Sequence, residues 1–190
     1  SLALKIAKKI KKQKPCKTFL VTHAPFGIKR SRIQKIAIKL IDSFNNLNKF
    51  DRIISISKWE VPFLLKLGCK KEKIIHIPNS IPNEFFTQKK IKSEKKVLYL
   101  GRIHPRKDIP TLMKGFKNSV LERSYKLEIV GMAEKDYLKK LLRLKQEIKS
   151  KAEFPGPVFD LTKKIQKIDS VDFVVLPSLF EPFGIVFLES

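Results

Sequence analysis

From residue 97 onward, short apolar runs alternate with segments of helical period, and this alternation constrains the fold more than any other feature of the chain. Runs at 97–100, 126–130, Phe154 and 173–176 read as strands. Between them, 110–120, 134–149 and 161–168 space their apolar residues three and four apart, as helices lying on a sheet do. Strands separated by crossover helices run parallel, so the pattern predicts an α/β protein whose parallel sheet is covered on both faces. The first half is less regular. Strands are expected at 18–21, 52–56 and 74–77, and helices at 2–14 and 33–47. Ser57-Lys58-Trp59-Glu60 has capping-box spacing and predicts a helix start. A Pro/Asn-rich crossing comes next, at 78–83. The charged stretch 89–96 has no apolar periodicity and reads as a linker between a domain of residues 1–88 and one of residues 97–190.

Charge narrows the partners. With 41 Lys and Arg against 18 Asp and Glu, the formal net charge of +23 predicts attraction to polyanions or anionic lipid. Residues 2–14 place Leu2, Ala3, Ile6 and Ile10 at helical spacing, with Lys5, Lys8, Lys9, Lys11 and Lys12 around them. Such a helix either lies on an anionic membrane or packs on a sheet with a solvated lysine face. A nucleic-acid binder would interleave aromatic and basic residues on one surface or carry a known module. No such module occurs, and several of the 14 phenylalanines fall in apolar strands or a Pro-Phe-Gly segment, so nucleic acid is not the expected partner. The longest apolar stretch, 173–188, is broken by Pro177, Glu181 and Pro182, which excludes it as a membrane span. Cys16 and Cys69 form neither a disulfide framework nor zinc spacing, in keeping with a reducing, cytoplasmic setting. The chain opens on Ser1 and stops at Ser190 inside a helical pattern, which reads as a piece of a longer protein.

The most informative string is the last one, from Asp172 to Ser190. An apolar run breaks at Pro177-Ser178, passes through Glu181-Pro182-Phe183-Gly184-Ile185 and resumes to Glu189. It reads as a strand, a loop at its carboxyl end, and a helix whose first turn accommodates Pro182. Free N–H groups at a helix start beside an acidic side chain suit a ligand bearing both phosphate and hydroxyls, such as a sugar nucleotide. Glu181 and Glu189 also invite a glycosidase reading. Eight helical residues rise about 12 Å, however, whereas hydrolytic carboxylate pairs lie about 5–9.5 Å apart. Two glutamates holding two parts of one elongated ligand fit better. Taken alone, the spacing fits a capping and a surface glutamate better; the specificity lies in the whole string.

The whole string PSLFEPFGIVFLES resembles the signature of the retaining, group-1 glycosyltransferases of the GT-B fold. Upstream, in the same order as in that family, VLYLGRIHPRKDIPTLMKGF (97–116) resembles its strand–Gly-Arg–Lys–helix segment. KLEIVG (126–131) is similar to its second donor-domain strand, and FPGPV (154–158) to its F-x-G-x-V loop. IISISKWE and KIIHIPNSI resemble its interdomain segments. The resemblance implies two Rossmann-like domains with parallel sheets facing a cleft, both incomplete here. It also implies transfer of a sugar from a nucleotide-diphosphate donor to a glycan or lipid-linked acceptor with retention of configuration. No cofactor beyond the donor is implied. No D-x-D pair occurs, so no metal site is expected.

Arg102 and Lys107 come after the first donor-domain strand, where ligands of open α/β sheets bind. There they would neutralise charge building on the leaving diphosphate. The resemblance assigns sugar hydroxyls to Glu181, ribose hydroxyls to Glu189, and the sugar and distal phosphate to the backbone N–H groups of Phe183, Gly184 and Ile185. Residues 154–158 would run beside the base. His23 matches the family's cleft histidine and would position the sugar. Two departures stand out: Gly131-Met132-Ala133 replaces a Gly-x-Gly, and Pro78-Asn79-Ser80-Ile81-Pro82 replaces a P-N-G-x-D crossing. Two other readings remain: a basic nucleic-acid-binding protein, and a GT-B-fold epimerase or hydrolase of nucleotide sugars.

Overall fold

The computed structural model of the chain describes residues 2–22, 47–87, 94–181 and 183–190. His23, most of the helix expected at 33–47, residues 89–93 of the expected linker, and Pro182 lie outside the described residues. The chain divides into two compact units, Ser1–Asn79 and Ser80–Ser190. The division falls ahead of 89–96, because Phe85 packs against the core of the second unit.

In the first unit, α1 (Leu2–Gln13) precedes a parallel sheet of β1 (Phe19–Thr22), β2 (Arg52–Ser55) and β3 (Ile74–His76), in the order β1-β2-β3. Ile53 on the central strand is fully buried with Leu64 of α2 (Val61–Lys66) and Cys69. Lys11 of α1 and the backbone N–H and hydroxyl of Thr18 converge on Asp51, at 2.7, 2.6 and 2.8 Å, and hold that carboxylate well below its usual range. The capping box expected at 57–60 does not form. Residues Lys58–Glu60 make a 3₁₀ turn, and the Ser57 side chain makes no cap bond. Glu60 instead turns inward to the carboxyl end of the sheet. There its Oε2 accepts from the Ile56 N–H at 3.0 Å and the Thr22 hydroxyl at 3.2 Å. Those neighbouring donors outcompete the reciprocal cap.

The second unit opens with α3 (Glu84–Thr87). It then alternates β4 (Lys96–Leu100), α4 (Ile109–Lys117), β5 (Lys126–Val130), α5 (Lys135–Glu147), β6 (Glu153–Gly156), α6 (Leu161–Asp169), β7 (Phe173–Val174) and α7 (Ile185–Glu189). All strand pairs are parallel, in the order β6-β5-β4-β7. Successive strand side chains point to opposite faces. Val97, Tyr99, Leu127 and Ile129 therefore meet α4 and α5 through Ile109, Met113, Phe116 and Leu141. Leu98, Leu100 and Val130 meet Ile168 of α6 and Val186 of α7 on the other face. The helix and strand order expected after residue 97 is the one observed. The last strand is not: it spans two residues rather than 173–176, and Phe173 is 46% exposed rather than buried. β7 pairs with β4 alone among the described strands, so one side of it is open. Pro177, which lacks an N–H, lies just beyond the last ladder bond, from the Val175 N–H to the Leu98 carbonyl at 2.8 Å.

Two details carry the frame to the strands' carboxyl ends. The β4–β5 ladder continues past both strands: the Gly101 N–H donates to Val130 O at 3.0 Å and the Ile103 N–H to Met132 O at 2.9 Å. This brings Gly131 so close that a Cβ on it would sit 1.7 Å from the Gly101 carbonyl oxygen. In the middle of β5, Glu128 is buried between Lys96 and Lys167, both at 2.7 Å. Burial opposes its charge, but the two ammonium groups outweigh that and hold its carboxyl below the usual range.

A carboxylate with a depressed folded pKa stabilises above its unfolded pKa, about 4.3 for Glu, and that contribution vanishes as pH falls through the folded value. Glu128→Gln should therefore cost about 1.5–3 kcal/mol at pH 7. In urea titrations at stepped pH, the gap from wild type should close below about pH 4; a gap independent of pH would contradict the assignment. Gly131→Ala should cost upwards of about 3 kcal/mol, at the high end for one substitution. Denaturation midpoints check this, and a near-wild-type value would show that the loops separate freely.

Candidate functional site

The strand order places β4 beside β5 on one side and β7 on the other, although β7 comes last in the chain. The crossover direction reverses at β4, and the loops leaving β4 and β7 part on opposite faces. That is the switch point at which open parallel sheets bind ligands. Two contacts bridge the loops here. The Leu179 N–H donates to Arg106 O at 3.0 Å, and Lys107 Nζ forms an ion pair with Glu181 Oε2. Ser178 Oγ donates to the same carboxylate oxygen at 3.3 Å. Lys107 gets its position from the 3₁₀ turn Pro105–Lys107. Proline starts that turn, His104 Nδ1 accepts from the Arg106 N–H, and Asp108 ends it in the left-handed region. The sequence placed Lys107 and Glu181 on different parts of one ligand; the structure brings them into direct contact. Their side chains are 24% and 28% exposed, so both remain reachable.

Arg102 lies two residues past the end of β4, between the Gly101 and Ile103 ladder bonds. It is exposed, and among the described residues its guanidinium has no ion-pair partner. It lines a cleft of about 220 Å³ with Ile103, His104, Met132, Ala133 and Glu134, between the loops after β4 and β5. Met132 and Ala133, where the sequence departs from Gly-x-Gly, form part of this wall. Ala133 also bridges Ile103 in parallel register, so the departure preserves the ladder. Beneath the turn, Tyr99 Oη donates to the Arg102 carbonyl at 2.7 Å.

Glu189 closes α7 and is 9% exposed. Its Oε1 pairs with Lys164 of α6, whose ammonium also lies 5.6 Å from the Phe85 ring centre. Its Oε2 is buried without a hydrogen-bond partner among the described residues. A buried carboxylate oxygen is costly to leave unpaired, so this one is poised for a hydroxyl donor. The helix starts later than expected, at Ile185, after Gly184 in the left-handed region at φ 70°. A Cβ on Gly184 would meet Phe187 at 3.1 Å and Glu181 Cγ at 3.4 Å, so this glycine lets α7 fold back over Glu181. The N–H groups of Phe183, Gly184 and Ile185 sit at the end of α7 that helical hydrogen bonding leaves open. Val158, at the end of the 154–158 segment, packs into the core of the face shared by α6 and α7.

The second unit thus brings Lys107 and Glu181 into contact, with the turn at Gly184 against Glu181; Arg102 lies on the same loop as Lys107, and Glu189 at the far end of α7 against Lys164. His23 is outside the described residues. Sequence reasoning missed Lys164, Ser178 and Tyr99. Lys164 is one lysine in a lysine-rich helix, and the Tyr99 hydroxyl is invisible in an apolar strand pattern. Among the described residues, no group of three or more His, Cys, Asp or Glu is placed to hold a metal ion, and no helix is long and apolar enough to cross a membrane.

Comparison with known proteins identifies the family and the fold. The profile of the Glycosyl transferases group 1 family matches residues 80–190, which include every described site residue. An uncharacterized glycosyltransferase of Methanocaldococcus jannaschii is 38% identical over 99 residues, 51% of this chain and 25% of that protein. Among solved structures, HepE of Anabaena, in complex with UDP and glucose, superposes with a TM-score of 0.78 at 18% identity, over 98% of this chain and 53% of HepE. Sucrose-phosphate synthase of Thermosynechococcus elongatus gives 0.77 at 20% identity, over 98% of this chain and 50% of its own. At these identities the structures speak to the fold alone, and that fold is the α/β architecture of GT-B glycosyltransferases. The chain spans about half the length of those two structures and a quarter of the curated relative. Its match over residues 80–190 makes this chain a member of the group 1 glycosyltransferase family.

Proposed function

We propose that the whole protein transfers a sugar from a nucleotide-diphosphate donor to a glycan or lipid-linked acceptor, with retention of anomeric configuration and without a metal or other cofactor. One observation carries this reading: a cation for phosphate and a carboxylate for hydroxyls, Lys107 and Glu181, meet at the switch point, and the loop that carries Lys107 also carries the exposed Arg102. Departure of a nucleoside diphosphate builds negative charge on phosphate oxygens and positive charge on the sugar. Arg102 and Lys107 would neutralise the first, and the carboxylate of Glu181, released from Lys107, would accept from the sugar's hydroxyls. The orphaned Glu189 oxygen would take a ribose hydroxyl. The N–H groups of Phe183, Gly184 and Ile185 would face the sugar and distal phosphate, residues 154–158 the base, and His23 the sugar from the first unit. Retention fits attack on the same face as the departing phosphate, which needs no protein nucleophile.

HepE binds UDP and glucose, so UDP-glucose heads the donors to screen with the complete protein. Transfer that yields a product of the donor's anomeric configuration, read by NMR, supports the proposal. An inverted product overturns retention, and release or isomerisation of the sugar without acceptor points to a hydrolase or epimerase. In calorimetry with the nucleoside diphosphate alone, Glu189→Gln should weaken binding about tenfold, the loss of one charged hydrogen bond. Glu181→Gln frees Lys107 and should leave that affinity equal or tighter; equal losses in both variants would contradict the division of roles.

We further propose that α1 rests on the cytosolic face of an anionic membrane. Ile6 and Ile10, one turn apart, are 50% and 46% exposed, and Lys11 points to Asp51. Lys8 and Lys49 crowd each other enough to lower the pKa of Lys8, marking a local excess of positive charge. The complete protein should sediment with vesicles containing phosphatidylserine and release as salt rises. Equal partition onto neutral vesicles would leave the lysines as a solvated surface.

A further inference from the structure

We propose that Tyr99 is a positioning residue for Arg102, its buried hydroxyl fixing the peptide that aims the guanidinium into the cleft at the carboxyl end of β4; this rests on the donor-site reading above. Tyr99 lies within β4 and is fully buried among Val97, Ile109, Met113, Leu127 and Ile129. Phenylalanine would satisfy every one of those neighbours. A buried phenol must find an acceptor or lose hydrogen-bonding free energy, so its presence calls for a partner. That partner is not another element of the core but the Arg102 carbonyl, 2.7 Å away and three residues on.

The geometry of that single peptide unit makes the contact specific. Its carbonyl end, on Arg102, accepts from Tyr99 Oη at 2.7 Å. Its amide end, on Ile103, donates to Met132 O at 2.9 Å. The preceding anchor is the Gly101 N–H on Val130 O at 3.0 Å. Arg102 is thus held between two ladder bonds, with the peptide plane on its carboxyl side pinned at both ends. The turn lies directly over the phenol: a Cβ on Gly101 would come within 3.4 Å of Tyr99 Oη. With the backbone so fixed, the Cα–Cβ direction of Arg102 is fixed too, at the edge of the cleft it lines, which narrows the region its side chain samples. Preorganising a charged group in this way avoids the cost of ordering it when ligand arrives. Burial first, and then the negative charge of Glu181, push the phenol's pKa well up. The hydroxyl therefore stays protonated and donates throughout the working range.

A double-mutant cycle in the complete protein tests this. Calorimetry with UDP, ADP, GDP and dTDP identifies the nucleoside diphosphate bound tightest, and the cycle of Tyr99→Phe and Arg102→Ala is measured with it. Tyr99→Phe should weaken binding about fivefold, the worth of one hydrogen bond. Arg102→Ala should weaken it further, and the double variant should match Arg102→Ala within about twofold, because the hydroxyl acts only through that arginine. General loosening of the strand would instead lower affinity by the same factor in either background, and that additivity would overturn the proposal, as would unchanged binding in Tyr99→Phe. If no diphosphate binds the wild-type protein, or if Arg102→Ala binds as well as wild type, the donor-site reading itself fails and this inference falls with it. Loss in Arg102→Ala with silence in Tyr99→Phe sinks the positioning role alone.

Discussion

Everything the second unit does depends on β4 being buried on both faces. Val97, Leu98, Tyr99 and Leu100 are each no more than 5% exposed, so the strand cannot slide by one residue without exchanging its two cores. It is hydrogen-bonded to β5 on one side and β7 on the other, and the crossover direction reverses at it. The loop after β4 places Arg102 and Lys107, and the loop after β7 places Glu181. The register of one strand, enclosed on four sides, therefore sets where the cations and the carboxylate meet.

The carboxylates show how a chain with 18 acidic and 41 basic residues uses its few negative groups. Among the described residues three glutamates are buried, and each is satisfied differently. Glu128 is closed off by Lys96 and Lys167, which makes it part of the frame. Glu60 is held through one oxygen by neutral donors, the Ile56 N–H and the hydroxyls of Thr22 and Ser55. Glu189 has one oxygen on Lys164 and one on nothing among the described residues. Burial alone does not separate a structural carboxylate from one that awaits a ligand. Glu128 and Glu189 differ in whether both oxygens are already used; Glu60, like Glu189, keeps one buried oxygen without a hydrogen-bond partner among the described residues.

Periodicity made most of the second unit legible, since β5 falls on 126–130 as expected and the helices begin and end within a few residues of their expected bounds. It failed where tertiary neighbours decide. The apolar run 173–176 carries the pattern of a buried strand, but pattern does not say that only one side of it will be paired. Ser57 and Glu60 have capping-box spacing, yet Glu60 found better donors in the strand ends beside it. Glu181 and Glu189 were readable from a local string, and Arg102 and Lys107 from their place after a strand. Tyr99 and Lys164 were not readable, because each acts across the fold on a residue whose position the sequence alone does not supply.

The Lys107–Glu181 pair also bears on how such a site would open. Each side chain keeps about a quarter of its surface in water, and ion pairs that exposed contribute about 0–1 kcal/mol. Separating them costs little. A diphosphate offers Lys107 more negative charge than one carboxylate does, and Arg102 has no ion pair to release among the described residues. Glu181, once freed, is left beside Ser178 and under the turn at Gly184, with an oxygen to offer a hydroxyl. Under the proposed function, the pair would keep both groups aligned while the site is empty and yield to the ligand whose two ends they recognise. A carboxylate with both oxygens already paired in the same place would have obstructed the site, which is the arrangement the structure gives Glu128 in the middle of β5.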